Sequence, residues 1–127
     1  MTRYFAVVYL DSFISADKGD VIGAGEFYFK CNGKRYPDKG VIKLKQDQLF
    51  DPEPNPVFWT VIADDDDVKE IKLDFEVWED DIGRDDKFID EEIKVPLKIT
   101  QQNLELKGKK KDCSLKVVLK ISETQIW

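Results

Sequence analysis

Ile71-Lys72-Leu73-Asp74-Phe75-Glu76-Val77-Trp78 alternates without a break. Ile71, Leu73, Phe75 and Val77 fall on one side of an extended chain and Lys72, Asp74 and Glu76 on the other, because successive side chains of a strand point to opposite faces. The spacing predicts a strand with one face in a core and one in water, as in antiparallel sheets. The same period runs through Tyr4–Leu10, through Glu26–Cys31 up to the turn signal Asn32-Gly33, and through Val41–Lys45, Glu92–Leu97 and Asn103–Leu106. It also runs through Cys113–Ile121, where it turns Val117, Leu119 and Ile121 inward. Val57–Ile62 is almost wholly apolar and predicts a central strand buried on both faces. No segment holds a helical period over three turns. About eight short strands separated by turn signals predict an all-β fold, an eight-stranded antiparallel sandwich.

The chain has 127 residues, enough for one sizeable core, and neither a repeat nor a linker divides it, so residues 1–127 read as a single domain. An apolar fraction of 42% is globular composition. The net charge of −6 argues against nucleic acid, whose phosphates demand Lys and Arg. It argues equally against unaided adsorption to anionic lipid, unless a cation bridges the two surfaces. Met1-Thr2-Arg3-Tyr4-Phe5 does not open a signal peptide, and no apolar run is long enough for a membrane span. Cys31 and Cys113 form neither a metal-binding spacing nor a disulfide framework, and read as two thiols in a reducing cytosol. Histidine is absent, which removes the commonest general base and the usual zinc ligand. No serine or cysteine sits in a nucleophile setting and no Gly-rich phosphate loop precedes a helix, so the expectation is a monomeric binding module with no catalytic residues.

The loops differ in character. Asp17–Gly25 is rich in Gly and Asp, Asp47–Pro56 holds three prolines, Asp64–Asp67 is a run of aspartates, Glu79–Asp86 is acidic around Gly83, and Lys107–Lys111 is a basic turn. Three stretches, taken in order, resemble the C2 domains of protein kinase C, synaptotagmin and the phospholipases. Asp20-Val21-Ile22-Gly23-Ala24-Gly25-Glu26-Phe27-Tyr28-Phe29-Lys30 is similar to the family's Asp-rich first loop and the strand after it. Asn55-Pro56-Val57-Phe58-Trp59 resembles its Asn-Pro-Val strand entry. Val77-Trp78-Glu79-Asp80-Asp81-Ile82-Gly83-Arg84-Asp85-Asp86-Lys87-Phe88-Ile89, followed by Val95-Pro96-Leu97, resembles its third loop and closing strand. The resemblance implies a C2-like sandwich of phospholipase-type (type II) topology, because the chain opens on the strand before the first loop. Departures bear on calcium coordination more than on the fold: Glu26 and Glu79 stand where the family has Asp, Lys87 where it has its last loop-three Asp, with Asp85 and Asp86 just before it, and Asp90 where it has Gly.

The resemblance further implies a calcium site, in which Asp20 and Glu26 converge with Glu79, Asp81 and Asp85 or Asp86. Calcium takes six to eight oxygen ligands, largely carboxylates and carbonyls, and would relieve the repulsion among these acids. The same residues also suit solubilising turns. Val21, Ile22 and Ile82 would cap the two loops and either insert between lipid headgroups or tuck onto the sandwich end. Lys34, Arg35, Lys43 and Lys45 would form a basic face, either for a phosphoinositide headgroup or for solvent. Asp64–Asp67, which the family places at the opposite end, reads as a solvated charge run, and so does Lys107–Lys111. The functional expectation is calcium-dependent docking of a cytoplasmic, peripheral protein to anionic phospholipid membrane. The alternative is a calcium-independent C2-like protein-interaction module.

Overall fold

The structure, a computed structural model, describes residues 1–17, 23–81 and 83–124. The described residues form nine strands: β1 (Arg3–Ser15), β2 (Gly25–Cys31), β3 (Lys34–Tyr36), β4 (Ile42–Leu44), β5 (Val57–Asp64), β6 (Glu70–Glu79), β7 (Asp86–Pro96), β8 (Thr100–Lys107) and β9 (Cys113–Thr124). They make two antiparallel sheets, one ordered β5-β1-β9-β8 and the other β3-β2-β6-β7, with β4 also paired to β2. β3 pairs with residues 29–31 of β2 and β4 with residues 25–27, so together they form one interrupted edge. That interruption, at Pro37–Gly40, gives nine strands where eight were expected. No helix among the described residues is long and apolar enough to cross a membrane.

The inner faces follow the alternation. Leu73, Phe75 and Val77 are fully buried, as are Leu115 and Leu119, with Val117 and Ile121 nearly so. Phe13, Phe27 and Phe29 meet at the centre, where the Phe13 ring centroid lies 5.0 Å from that of Phe27 and 5.2 Å from that of Phe29. Each such side chain removed from water contributes about 1.5–3 kcal/mol, which is what closes the two sheets on each other. Cys31 and Cys113 are buried free thiols, pushed up to about 12 and about 11 by burial.

Two strand expectations need correction. Val57–Ile62 is an edge strand and not a central one: Phe58 is buried, but Val57 is 47% and Ile62 58% exposed. An apolar run records affinity for a half-buried surface and says nothing of how many neighbours a strand has. β7 begins at Asp86, six residues before its alternation becomes clear at Glu92. Its first half pairs with β6 across an irregularity between Val77 and Trp78, and that breaks the period.

Candidate functional site: an acidic cluster at one end of the sandwich

β6 carries its inward alternation one step beyond Val77, to Glu79, so the strand that builds the core ends with a carboxylate on the core side. Pairing fixes it there: Glu79 stands opposite Phe27 of β2 and Asp86 of β7, and the Asp80 amide donates to the Glu26 carbonyl at 2.7 Å. Glu79 is 0% exposed, and neither carboxylate oxygen receives a hydrogen bond of acceptable geometry. Burial pushes its carboxyl from an ordinary 4.5 up to about 7; the Asp81 charge adds to the rise, and the nearby Glu26 backbone offsets only part of it. Glu79, Asp81 and Asp86 each present an oxygen within 4.8 Å of the others'. Three carboxylate oxygens this close, the deepest without a hydrogen-bond partner, could hold a hard, oxygen-seeking cation.

Two other expected ligands, Glu26 and Asp85, have partners of their own. Glu26 points to the outer face of β2, where its carboxylate is 4.0 Å from Lys43 Nζ. Asp85 accepts a hydrogen bond from the Tyr28 hydroxyl, which lowers the Asp85 carboxyl; burial, followed by this same bond, raises the Tyr28 phenol. Asp80 is raised, chiefly through its hydrogen bond with Asp85. Of the pair Asp85 and Asp86, it is therefore Asp86 that the backbone turns toward Glu79. Asp20, Val21, Ile22 and Ile82 lie outside the described residues.

No protein-family model matches this chain, and no curated protein is similar to it in sequence. Solved structures are similar in fold. A human GIVD cytosolic phospholipase A2, in complex with a fluorophosphonate inhibitor and terbium chloride, superposes with a TM-score of 0.59 at 13% identity. That match covers 98% of this chain but only 18% of the phospholipase chain. A C2 domain of a plant extended synaptotagmin 1 matches with a TM-score of 0.52 at 14% identity, covering 96% of each chain. A C2 domain protein from Ramazzottius varieornatus matches with a TM-score of 0.54 at 9% identity, over 97% of this chain and 90% of the other.

The fold is a C2-like β-sandwich.

On the outer face of this C2-like domain's second sheet lies an array that the alternation pattern did not single out. Tyr28 and Trp78 stack with centroids 6.2 Å apart, Arg35 lies 4.3 Å over the Tyr28 ring and Lys87 4.8 Å over the Trp78 ring. The signal was present in the sequence as two aromatics at outward positions of β2 and β6, which water alone does not favour. Of the expected basic face, Arg35 is braced by the carbonyls of Pro37 and Gly40, both at 2.7 Å. Lys34 and Lys45 are exposed, and Lys43 is held loosely by Glu26. The Asp64–Asp67 turn lies at the opposite end of β6 and is more structured than a solvated run: Asp64 receives Arg3 Nε at 2.7 Å and Asp65 the Thr2 amide at 2.9 Å.

Proposed function

We propose that this chain is a single C2-like domain of phospholipase-type topology that docks peripherally, in the cytoplasm, on anionic phospholipid membrane when calcium fills the acidic end of the sandwich. Its role is binding rather than catalysis. The observation that carries the reading is Glu79, a fully buried carboxylate with no hydrogen-bond partner, facing Asp81 and Asp86. A carboxyl buried in this way stays protonated unless its charge is paired or metal-bound, and among the described residues no cationic side chain pairs with it, so a cation is what would hold it ionised. Three carboxylates leave coordination positions for backbone carbonyls, water or a lipid phosphate, which is how a cation bridges an acidic protein to an acidic membrane. Asp20 from the first loop would add a ligand, with Val21, Ile22 and Ile82 as the apolar tips. Asp85 and Glu26 belong to the wider acidic surface, and Lys34, Arg35, Lys43 and Lys45 to a basic face beside it that suits a headgroup phosphate.

A second reading, a calcium-independent protein-interaction module, draws support from the diversion of Glu26 to Lys43 and of Asp85 to Tyr28. The two separate in solution. The solved phospholipase was in complex with terbium chloride, and terbium takes oxygen ligands as calcium does. Terbium emission excited through Trp78, the neighbour of Glu79, therefore reports the site directly. Calcium at about a hundred times its Kd is expected to stabilise the fold by about 2.7 kcal/mol, and Asp81→Asn to remove most of that gain and the terbium signal. If roughly millimolar calcium moves neither the melting temperature nor vesicle binding, the protein-interaction reading replaces this one.

A further inference from the structure

The turn between β8 and β9, which the sequence suggests is merely solvated, sits at the same end of the sandwich as the acidic cluster. The Ala16 amide donates to the Asp112 carbonyl at 2.9 Å, tying the exit of β1 to the start of β9, and Lys111 Nζ lies 3.9 Å from Asp17. Gly108 brings the turn's backbone down onto its surroundings. A Cβ at that position would lie 3.0 Å from the Phe88 carbonyl oxygen, 2.8 Å from Cys113 Sγ and 2.2 Å from the Lys111 carbonyl oxygen. The turn is therefore pressed against the first residues of β7. Between them is an open cleft of about 320 Å³, lined by Lys87, Lys107, Lys109 and Lys110 together with Phe88. It begins one residue after Asp86 of the acidic cluster.

The charges facing this cleft are not balanced. Asp90 and Glu91 line it, but Asp90 is engaged by Lys87 at 3.2 Å, and Lys107 is held by Glu105 at 3.6 Å. Lys109 and Lys110 are exposed, and among the described residues neither lies within ion-pair distance of a carboxylate. Two ammonium groups outside any ion pair, against Glu91 as the one lining carboxylate not in an ion pair, leave the cleft with an excess of positive charge, which attracts phosphate oxygens. A nucleic acid is the wrong source of phosphate, because its extended charge would run onto the neighbouring carboxylates and against a net charge of −6. A lipid surface approached end-on fits, since the cation that neutralises the cluster leaves the lysines facing the same plane.

We propose that the Lys107–Lys111 turn is a second anion contact, in which Lys109 and Lys110 meet lipid phosphates beside the cation site. The choice of a membrane as the partner rests on the proposed function; the excess charge of the turn does not.

The test is binding of the whole chain to phosphatidylcholine–phosphatidylserine vesicles, with calcium and with chelator, at about 0.1 M salt. The double variant Lys109→Gln/Lys110→Gln is compared with Lys94→Gln/Lys98→Gln, which removes the same charge from exposed positions toward the other end of β7. The first pair is expected to weaken vesicle binding by roughly thirtyfold and the second by less than about threefold. Terbium emission without vesicles is expected to change in neither. Equal losses in the two pairs, which would mean net charge alone, or no loss in the first pair, overturn the proposal. So does a wild-type chain that binds these vesicles in neither condition. If the first pair weakens binding with chelator present while terbium and calcium have no effect on the protein, the cation reading fails and the basic turn stands.

Discussion

β6 has an acidic turn at each end, and the two differ in what faces the acids. At its start, Asp64 takes the Arg3 guanidinium at 2.7 Å, Asp65 takes the Thr2 amide, and Lys69 donates to the Asp65 carbonyl at 2.7 Å. At its end, Glu79 is buried without a hydrogen-bond partner, with Asp81 and Asp86 against it. By composition the first turn is the denser, four aspartates in succession. A cation site is distinguished by lack of internal compensation, and the number of acids does not supply it. The charge of the first turn fastens the chain's beginning to the sheet; in the second, the Glu79 carboxylate has no such partner among the described residues.

The strongest way to break this contrast is Glu79→Gln. Because the Glu79 carboxyl rises from 4.5 to about 7, the folded chain holds that proton more tightly than the unfolded chain. The cost of ionising Glu79 is therefore absent below about pH 4.5, grows as pH rises through this window, and is complete above about 7. Without calcium, Glu79→Gln is expected to be neutral at pH 4 and stabilising by roughly 3 kcal/mol at pH 8 in urea unfolding, with the calcium response lost. Equal destabilisation at both pH values would mean that Glu79 has a partner after all, as Asp64 does.

A smaller effect is expected at the other end. Arg3→Ala removes the partner of Asp64 and should lower the melting temperature by a few degrees, since an ion pair only partly withdrawn from water contributes little. Calcium should still raise that temperature by the wild-type amount; a diminished response would mean that the two turns communicate through β6. The smallest effect belongs to Asp66→Asn, at an exposed turn position. It should shift the melting temperature by no more than about 1 °C and leave terbium emission intact. A loss of emission would make the aspartate run, not the buried cluster, the cation site.

Much of this was legible along the chain. The alternation of β6 and β9 placed Leu73, Phe75, Val77, Val117, Leu119 and Ile121 inward, and all are buried. Followed one step further, the same alternation places Glu79 inward too. Three features were not legible: the edge position of β5, the early start of β7, and the meeting of Arg35, Tyr28, Trp78 and Lys87 in one array, of which only the two outward aromatics left a trace along the chain. Each depends on which strands are neighbours, and a local pattern does not record that.

The set of residues that face the core can be read along the chain, because the two-residue period is a property of one extended strand and needs no partner. Which acids share a space follows from strand pairing. Asp85 and Asp86 are adjacent and chemically identical, yet Asp86 stands opposite Glu79 across the ladder while Asp85 is taken by Tyr28, 57 residues away. That division is set by strand register and by an irregularity between Val77 and Trp78, where the pairing of two strands, and not the chemistry of either, turns a side chain toward or away from its neighbour.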